Sequence, residues 1–328
     1  MTSLIHMGMS KSASTFLQSK FFDQNDNFYY SGLFYKSKYP NYYSIKELHD
    51  LTLMLVNQDQ FIEVPKKLLN MVNSEYHKSI DQKKIFVFSN EHFCESVNPF
   101  FQASLIKQVF KDPKIILIIR NQYDIIRSHY LYQGNKLLFV PNKYKGKHVN
   151  FKSYFNYLLF TKNKNGGHKA RDWIYDYLRI INYNNFLKIN EKIFGKENII
   201  VAPFEEIIKN PNTIYDYLEQ KINYNFIRNK VFDKNPVRSS VSNRGLKIIN
   251  LSKFFLGDFD KNKNSLSRNI VSKLKSSFPN LHQSLIRGGG NMNIPNDILF
   301  QINELFKDGN NELSHRYNIN LKDLGYPS

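Results

Sequence analysis

A single cysteine, Cys94, occurs in 328 residues, which excludes an intrachain disulfide and a cysteine-based metal cluster. Nothing in cysteine usage therefore points to an oxidising compartment. No window holds enough consecutive apolar residues for a membrane span, and the first residues carry neither a charged leader nor a long apolar region. A soluble, cytoplasmic protein without a membrane span is the expectation. Acidic residues are scarce, 28 against 46 basic ones, for a formal charge of +18 and a pI near 9.6. Such a field favours an anionic partner. The lysines are spread along the chain, not gathered in one basic arm, so a solvated cationic surface is expected and nucleic-acid binding is not. The sequence also lacks G-x-x-x-x-G-K-[ST], the loop that cradles nucleoside triphosphates: Lys11 follows Gly8 by three residues and no glycine precedes it.

What is present is organised around residues 1–16, MTSLIHMGMSKSASTF. Ser3 to Met7 is a short apolar run with the character of a buried strand, and Ser14 to Phe22 has helical apolar spacing. The Gly-Met-Ser-Lys-Ser-Ala segment between them is a strand-to-helix turn. A helix start offers unpaired N–H groups and the positive end of the macrodipole, so a multiply charged anion is held there. Gly8, Ser10, Ser12, Ala13 and Ser14 are small enough to let oxygen atoms approach, the hydroxyls of Ser12, Ser14 and Thr15 can donate, and Lys11 adds a mobile cation. The plainer alternative is an ordinary opening βα unit with a solvent-facing lysine.

Two further strands carry chemistry at their ends. Lys84 to Ser89 (KIFVFS) is followed by Asn90-Glu91-His92, at the strand edge where open α/β sheets bind ligands. Glu91 is a candidate general base, with His92 second; the plain alternative is that Glu91 is an acidic cap for a short helix from Phe93 to Val97. Lys114 to Ile119 is a nearly continuous apolar run, typical of a parallel strand covered on both faces, and it ends in Arg120. Asn121 caps the helix that follows, through about Leu138. Arg120 offers a planar fork for a phosphate, and Ser128 stands two turns along the helix. Arg127 is an alternative ligand, and a surface ion pair is the plain reading of Arg120 alone.

Both motifs resemble those of sulfotransferases that use 3′-phosphoadenosine-5′-phosphosulfate (PAPS). Their 5′-phosphosulfate loop runs as apolar strand, Gly, then Pro-Lys-[Ser/Thr]-Gly-Thr-[Thr/Ser]. Gly8, Lys11, Ser12, Ser14 and Thr15 fall on it, while Ser10 stands for the usual Pro and Ala13 for the usual Gly. Their 3′-phosphate motif has an Arg at a strand end, a Ser eight residues later and a Tyr two beyond, as in Arg120, Ser128 and Tyr130, with Gln122 where many members have Pro. Members acting on polysaccharides commonly place a Glu where Glu91 stands. The resemblance further implies that Asn235 to Gly245 closes over the adenosine, with Arg238 as its phosphate ligand.

The expected fold is α/β, a P-loop-like three-layer α/β/α domain with a central parallel sheet. It spans 1–328 as one domain, with about 252–328 a helical extension packed on it. Further helices are expected over Tyr43–Val56, Phe61–Ile80, Phe151–Phe160, Tyr177–Phe194, Pro211–Gln220, Lys247–Leu256, Arg268–Phe278 and Pro295–Phe306, with strands over Asn27–Phe34 and Asn198–Ala202. Glu205 is read as structural. Gln133 to Trp173, rich in Lys, is a candidate acceptor rim in which Lys136, Lys143, Lys145 and Lys147 could meet an anionic glycan or simply be solvated. The resemblance implies sulfuryl transfer from PAPS, without a metal, to a hydroxyl or amine of an acceptor, a sugar or polysaccharide. The rivals are a kinase, which would need a magnesium-binding acid after a strand, and a non-catalytic module that binds anionic glycans.

Overall fold

The computed structural model describes residues 2–9, 11–32, 63–94, 96, 98–131, 150–162, 177–228 and 292–328. Arg238, residues 133–149 and 163–173 of the lysine-rich rim, and the helices expected over Tyr43–Val56, Lys247–Leu256 and Arg268–Phe278 lie outside the described residues.

Five strands form one sheet: β1 (Ser3–Met7), β2 (Phe28–Gly32), β3 (Ile85–Ser89), β4 (Pro113–Ile119) and β5 (Ile199–Pro203). Their order is β2-β3-β1-β4-β5 and every pairing is parallel. Each of β1, β3 and β5 is buried at every position, which is why their sequences read as unbroken apolar runs and not as alternation. The side chains alternate between two cores. Ile5, Met7, Phe86, Phe88, Ile115, Leu117 and Ile119 face one, shared with helices Lys66–Asp81, Pro99–Val109, Gln122–His129, Phe151–Lys162, Tyr183–Phe194 and Asn296–Tyr317. Leu4, Val87, Ile116, Ile118 and Ile200 face the other, covered by Leu17, Phe21 and Phe22 and by helices Phe204–Lys209 and Thr213–Glu219. The three-layer α/β/α expectation holds.

The strand order sets where the sheet's connections diverge. From β1 the chain leaves toward β2 on one side of the sheet, and from β4 it leaves toward β5 on the other. Adjacent strands whose connections diverge open a crevice at their C-terminal ends. Here those strands are β1 and β4, the two that end in the loop of Lys11 and in Arg120.

Several element boundaries differ from the sequence reading. The helix expected over Ser14–Phe22 is a single α-turn, Ser14–Phe16, that continues as a π-helix, Leu17–Phe22. The helix expected over Tyr177–Phe194 is two, Tyr177–Ile180 and Tyr183–Phe194, because the Asn182 side chain accepts a hydrogen bond from the Asn185 amide and starts the second afresh. Pro99–Val109, begun by the Asn98 cap and Pro99, has no counterpart in that reading. The last helix runs on from Asn296 to Tyr317, and Asn318 in the left-handed region stops it. In place of a helix from Phe93, a 3-10 turn spans Glu91–Cys94. No helix among the described residues is long and apolar enough to cross a membrane.

Candidate active site

The loop after β1 is built by two residues in the left-handed region, Lys11 at φ 73° and Ala13 at φ 59°. A Cβ in this region crowds the following carbonyl, which is why glycine is favoured there, so the position where the resembled loop carries Gly does need glycine-like backbone here. The turn is closed from inside: the Ser12 amide donates to the Met9 carbonyl at 3.1 Å and the Ser14 hydroxyl donates to the same oxygen at 3.0 Å. Ser14 therefore braces the loop, and its proton is directed inward, away from a ligand. Ser12 is fully buried and its hydroxyl has no hydrogen-bond partner among the described residues, which suits a group that an anion completes. Thr15 is half-buried at the start of the helical segment.

Arg120 is held on several sides. Its backbone N–H donates to the Tyr183 hydroxyl at 3.2 Å, and that hydroxyl donates to its carbonyl at 2.6 Å. The guanidinium lies over the Phe204 ring, 4.5 Å from its centroid, and Nη1 donates to the Lys11 carbonyl at 2.6 Å. The two sequence motifs, about a hundred residues apart, thus meet at one point. Nε of Arg120 is buried without an acceptor among the described residues. Ser128 lies half-buried on the Gln122–His129 helix beside the buried His129. Arg127 is paired with Asp124 at 2.7 Å, so it is engaged elsewhere on its own helix. Glu91 opens the 3-10 turn one residue after Asn90, whose amide donates to the His6 carbonyl; this sets its backbone at the C-terminal edge of β3 beside the loop. The side chains of Glu91 and His92 lie outside the described residues.

Two histidines that the sequence reading did not single out are buried near these groups, as is Glu205, which it read as structural. His6, in β1, pairs through Nδ1 with the Ser89 hydroxyl at 2.7 Å, and Gln18 of the π-helix donates to that same hydroxyl at 3.1 Å. Burial pushes the His6 imidazole down to about 3, so it is neutral. His129 stacks on Tyr177 with centroids 3.8 Å apart and pairs with the Tyr154 hydroxyl. Burial and then the charge of Lys11 hold it neutral as well. The apolar pattern of a single strand or helix cannot reveal such histidines; their neighbours come from other elements. Glu205 accepts from the Asn121 amide at 2.9 Å and from the Tyr326 hydroxyl at 2.8 Å. Burial raises its carboxyl above the ordinary range against those hydrogen bonds. Among the described residues no group of three or more His, Cys, Asp or Glu is gathered closely enough to hold a metal ion.

No protein-family model matches the sequence, and no curated protein matches it. Several solved structures resemble it, two sulfotransferases among them. One is a sulfotransferase from Alicyclobacillus acidocaldarius, at 16% identity and TM-score 0.47, covering 85% of this chain and 96% of that one. The other is the sulfotransferase domain from the curacin biosynthetic pathway, at 13% identity and TM-score 0.38, covering 84% and 98%. The chemistry proposed below rests on this chain's own residues.

Proposed function

We propose that the protein is a sulfotransferase that takes a sulfuryl group from PAPS and passes it to a hydroxyl or amine of an acceptor, a glycan by preference. The observation that carries this reading is the bond from Arg120 Nη1 to the Lys11 carbonyl across the β1–β4 crevice, which makes one anion site of two motifs. A donor with a phosphosulfate at one end and a 3′-phosphate at the other needs two such groups side by side.

The residues fit that donor. Left-handed backbone at Lys11 and Ala13, the buried Ser12 hydroxyl and the amides that open the helical segment suit the 5′ end, with Thr15 beside them. Arg120 and Ser128 suit the 3′-phosphate, and Arg238 is proposed to join them. In the transfer, the acceptor oxygen bonds to sulfur while the bond from sulfur to the bridging phosphate oxygen breaks. Lys11 neutralises the charge left on that phosphate, and Glu91 takes the proton from the acceptor hydroxyl. A loose in-line transition state asks for positioning and charge more than for covalent help, and lysine with amides supplies both without a metal.

Calorimetric titration with 3′-phosphoadenosine-5′-phosphate, with ATP as the control, tests the donor. The wild type is expected to bind the former in preference, and Arg120→Ala to lose about tenfold or more in affinity, the loss of a charged phosphate contact. No binding, or a preference for ATP, would overturn the reading in favour of a kinase or an anion-binding module.

A further inference from the structure

Arg120 leaves β4 beside the end of β5, since Ile119 pairs with Pro203. The next residues on each strand are therefore neighbours: Phe204 under the guanidinium, and Glu205 against the Asn121 amide. The second carboxylate oxygen of Glu205 reaches Tyr326, more than a hundred residues away in the chain. The same corner is gripped a second time, because the Asn121 side-chain amide donates to the Gly325 carbonyl. Gly325 has φ +79°, and a Cβ there would stand 3.1 Å from that amide, so backbone and space together call for glycine. A third grip holds the first turn of the helix: Gln122 and Asn310 exchange side-chain hydrogen bonds at 2.9 and 3.1 Å, and Asn310 also donates to the Pro327 carbonyl. Gln122, Asn310 and Tyr326 are all buried.

A helix needs one cap at its start, and Asn121 already provides it by accepting from the Tyr123 amide. The additional bonds from Glu205, Gly325 and Asn310 converge on the residue that follows Arg120 and the one after it. We infer that segment 325–328 and Glu205 form a built-in clamp that sets Arg120 for a 3′-phosphate, with Glu205 and Tyr326 as positioning residues acting through Asn121. The inference rests on the donor reading above. It makes segment 325–328 part of the donor site as well as of the core in which Tyr326 is buried. Burial keeps the Glu205–Tyr326 bond strong, because water does not compete for it.

The test compares two nucleotides that differ by one group, 3′-phosphoadenosine-5′-phosphate and adenosine-5′-phosphate, on wild type, Tyr326→Phe, Glu205→Gln and each of these combined with Arg120→Ala. Tyr326→Phe and Glu205→Gln are expected to weaken the first ligand about three- to thirtyfold and leave the second within about twofold, and to add nothing in the Arg120→Ala background, as residues acting through one partner do. Equal weakening toward both nucleotides marks general damage to the fold and overturns the clamp, as does unchanged binding in both variants or a full additional loss without Arg120. Glu205→Gln preserves shape and volume, so it remains informative if Tyr326→Phe is poorly folded. A wild type that does not distinguish the two nucleotides overturns the donor reading and the clamp with it. Normal preference in the wild type with unaffected variants overturns the clamp alone.

Discussion

At the scale of single residues, the loop is a compromise between backbone and side chain. Ala13 occupies the left-handed region, which costs a residue with a Cβ about 1–2 kcal/mol, while glycine would bring about 0.5–1 kcal/mol of extra unfolded-state entropy. Ala13→Gly is therefore expected to stabilise the protein by about 0.5–1 kcal/mol in urea denaturation, with nucleotide affinity kept or raised. A destabilised variant would contradict left-handed backbone at Ala13. The sequence told where Lys11, Ser12 and Arg120 belong, because a strand end followed by a helix start is visible in apolar spacing. It did not tell that Ser14 turns inward to Met9, or that Arg120 reaches the Lys11 carbonyl, since a side chain's rotamer depends on groups distant in the chain.

At the scale of elements, strands were the most legible, because burial on both faces leaves a continuous apolar run. Helix limits were less so. The break at Asn182 rests on one cap that an amphipathic pattern does not interrupt, and the π-helix from Leu17 keeps the same apolar residues while widening the turn. Gln122 shows the same limit from another side. It departs from the proline common in the resembled motif, and its reason appears only in the partner, Asn310. At the first helical position a proline suits the backbone, and Asn121 has ψ 126°, outside the helical region that a following proline disfavours. Gln122→Pro should thus keep the helix yet lose about 1–3 kcal/mol, the cost of leaving the buried Asn310 side chain with only its bond to the Pro327 carbonyl. Circular dichroism with equilibrium unfolding checks this: retained helicity with lowered stability is expected, whereas unchanged stability would show that the amide pair contributes nothing.

At the scale of the whole molecule, two buried neutral histidines, His6 and His129, make the fold sensitive to acid. The folded value of His6, about 3, lies below its ordinary 6.5, so between those limits the unfolded chain binds a proton that the folded chain refuses. Stability therefore rises with pH across that window, by about 1.4 kcal/mol per pH unit for such a group. His129 acts in the same direction. Glu205 acts in the opposite one, because its raised carboxyl contributes stability at low pH that declines as pH rises above the ordinary carboxylate range. Denaturation at about pH 5 should give a stability at least about 2 kcal/mol below that at about pH 7, and an equal or higher value would place these imidazoles outside the core. The +18 charge was legible from composition, yet it favours many anions and singles out none. What narrows the choice is the meeting of β1 and β4.

Sulfuryl transfer itself is the most direct test. With donor labelled in the sulfate and a panel of neutral and anionic glycans, the rate of label transfer is measured for wild type and for Lys11→Ala, with folding of the variant checked by its unfolding curve. The account predicts transfer by the wild type and a loss of about a hundredfold or more in turnover in the folded variant, since Lys11 meets charge that develops only as the sulfur–oxygen bond breaks. Unchanged turnover in folded Lys11→Ala would contradict it.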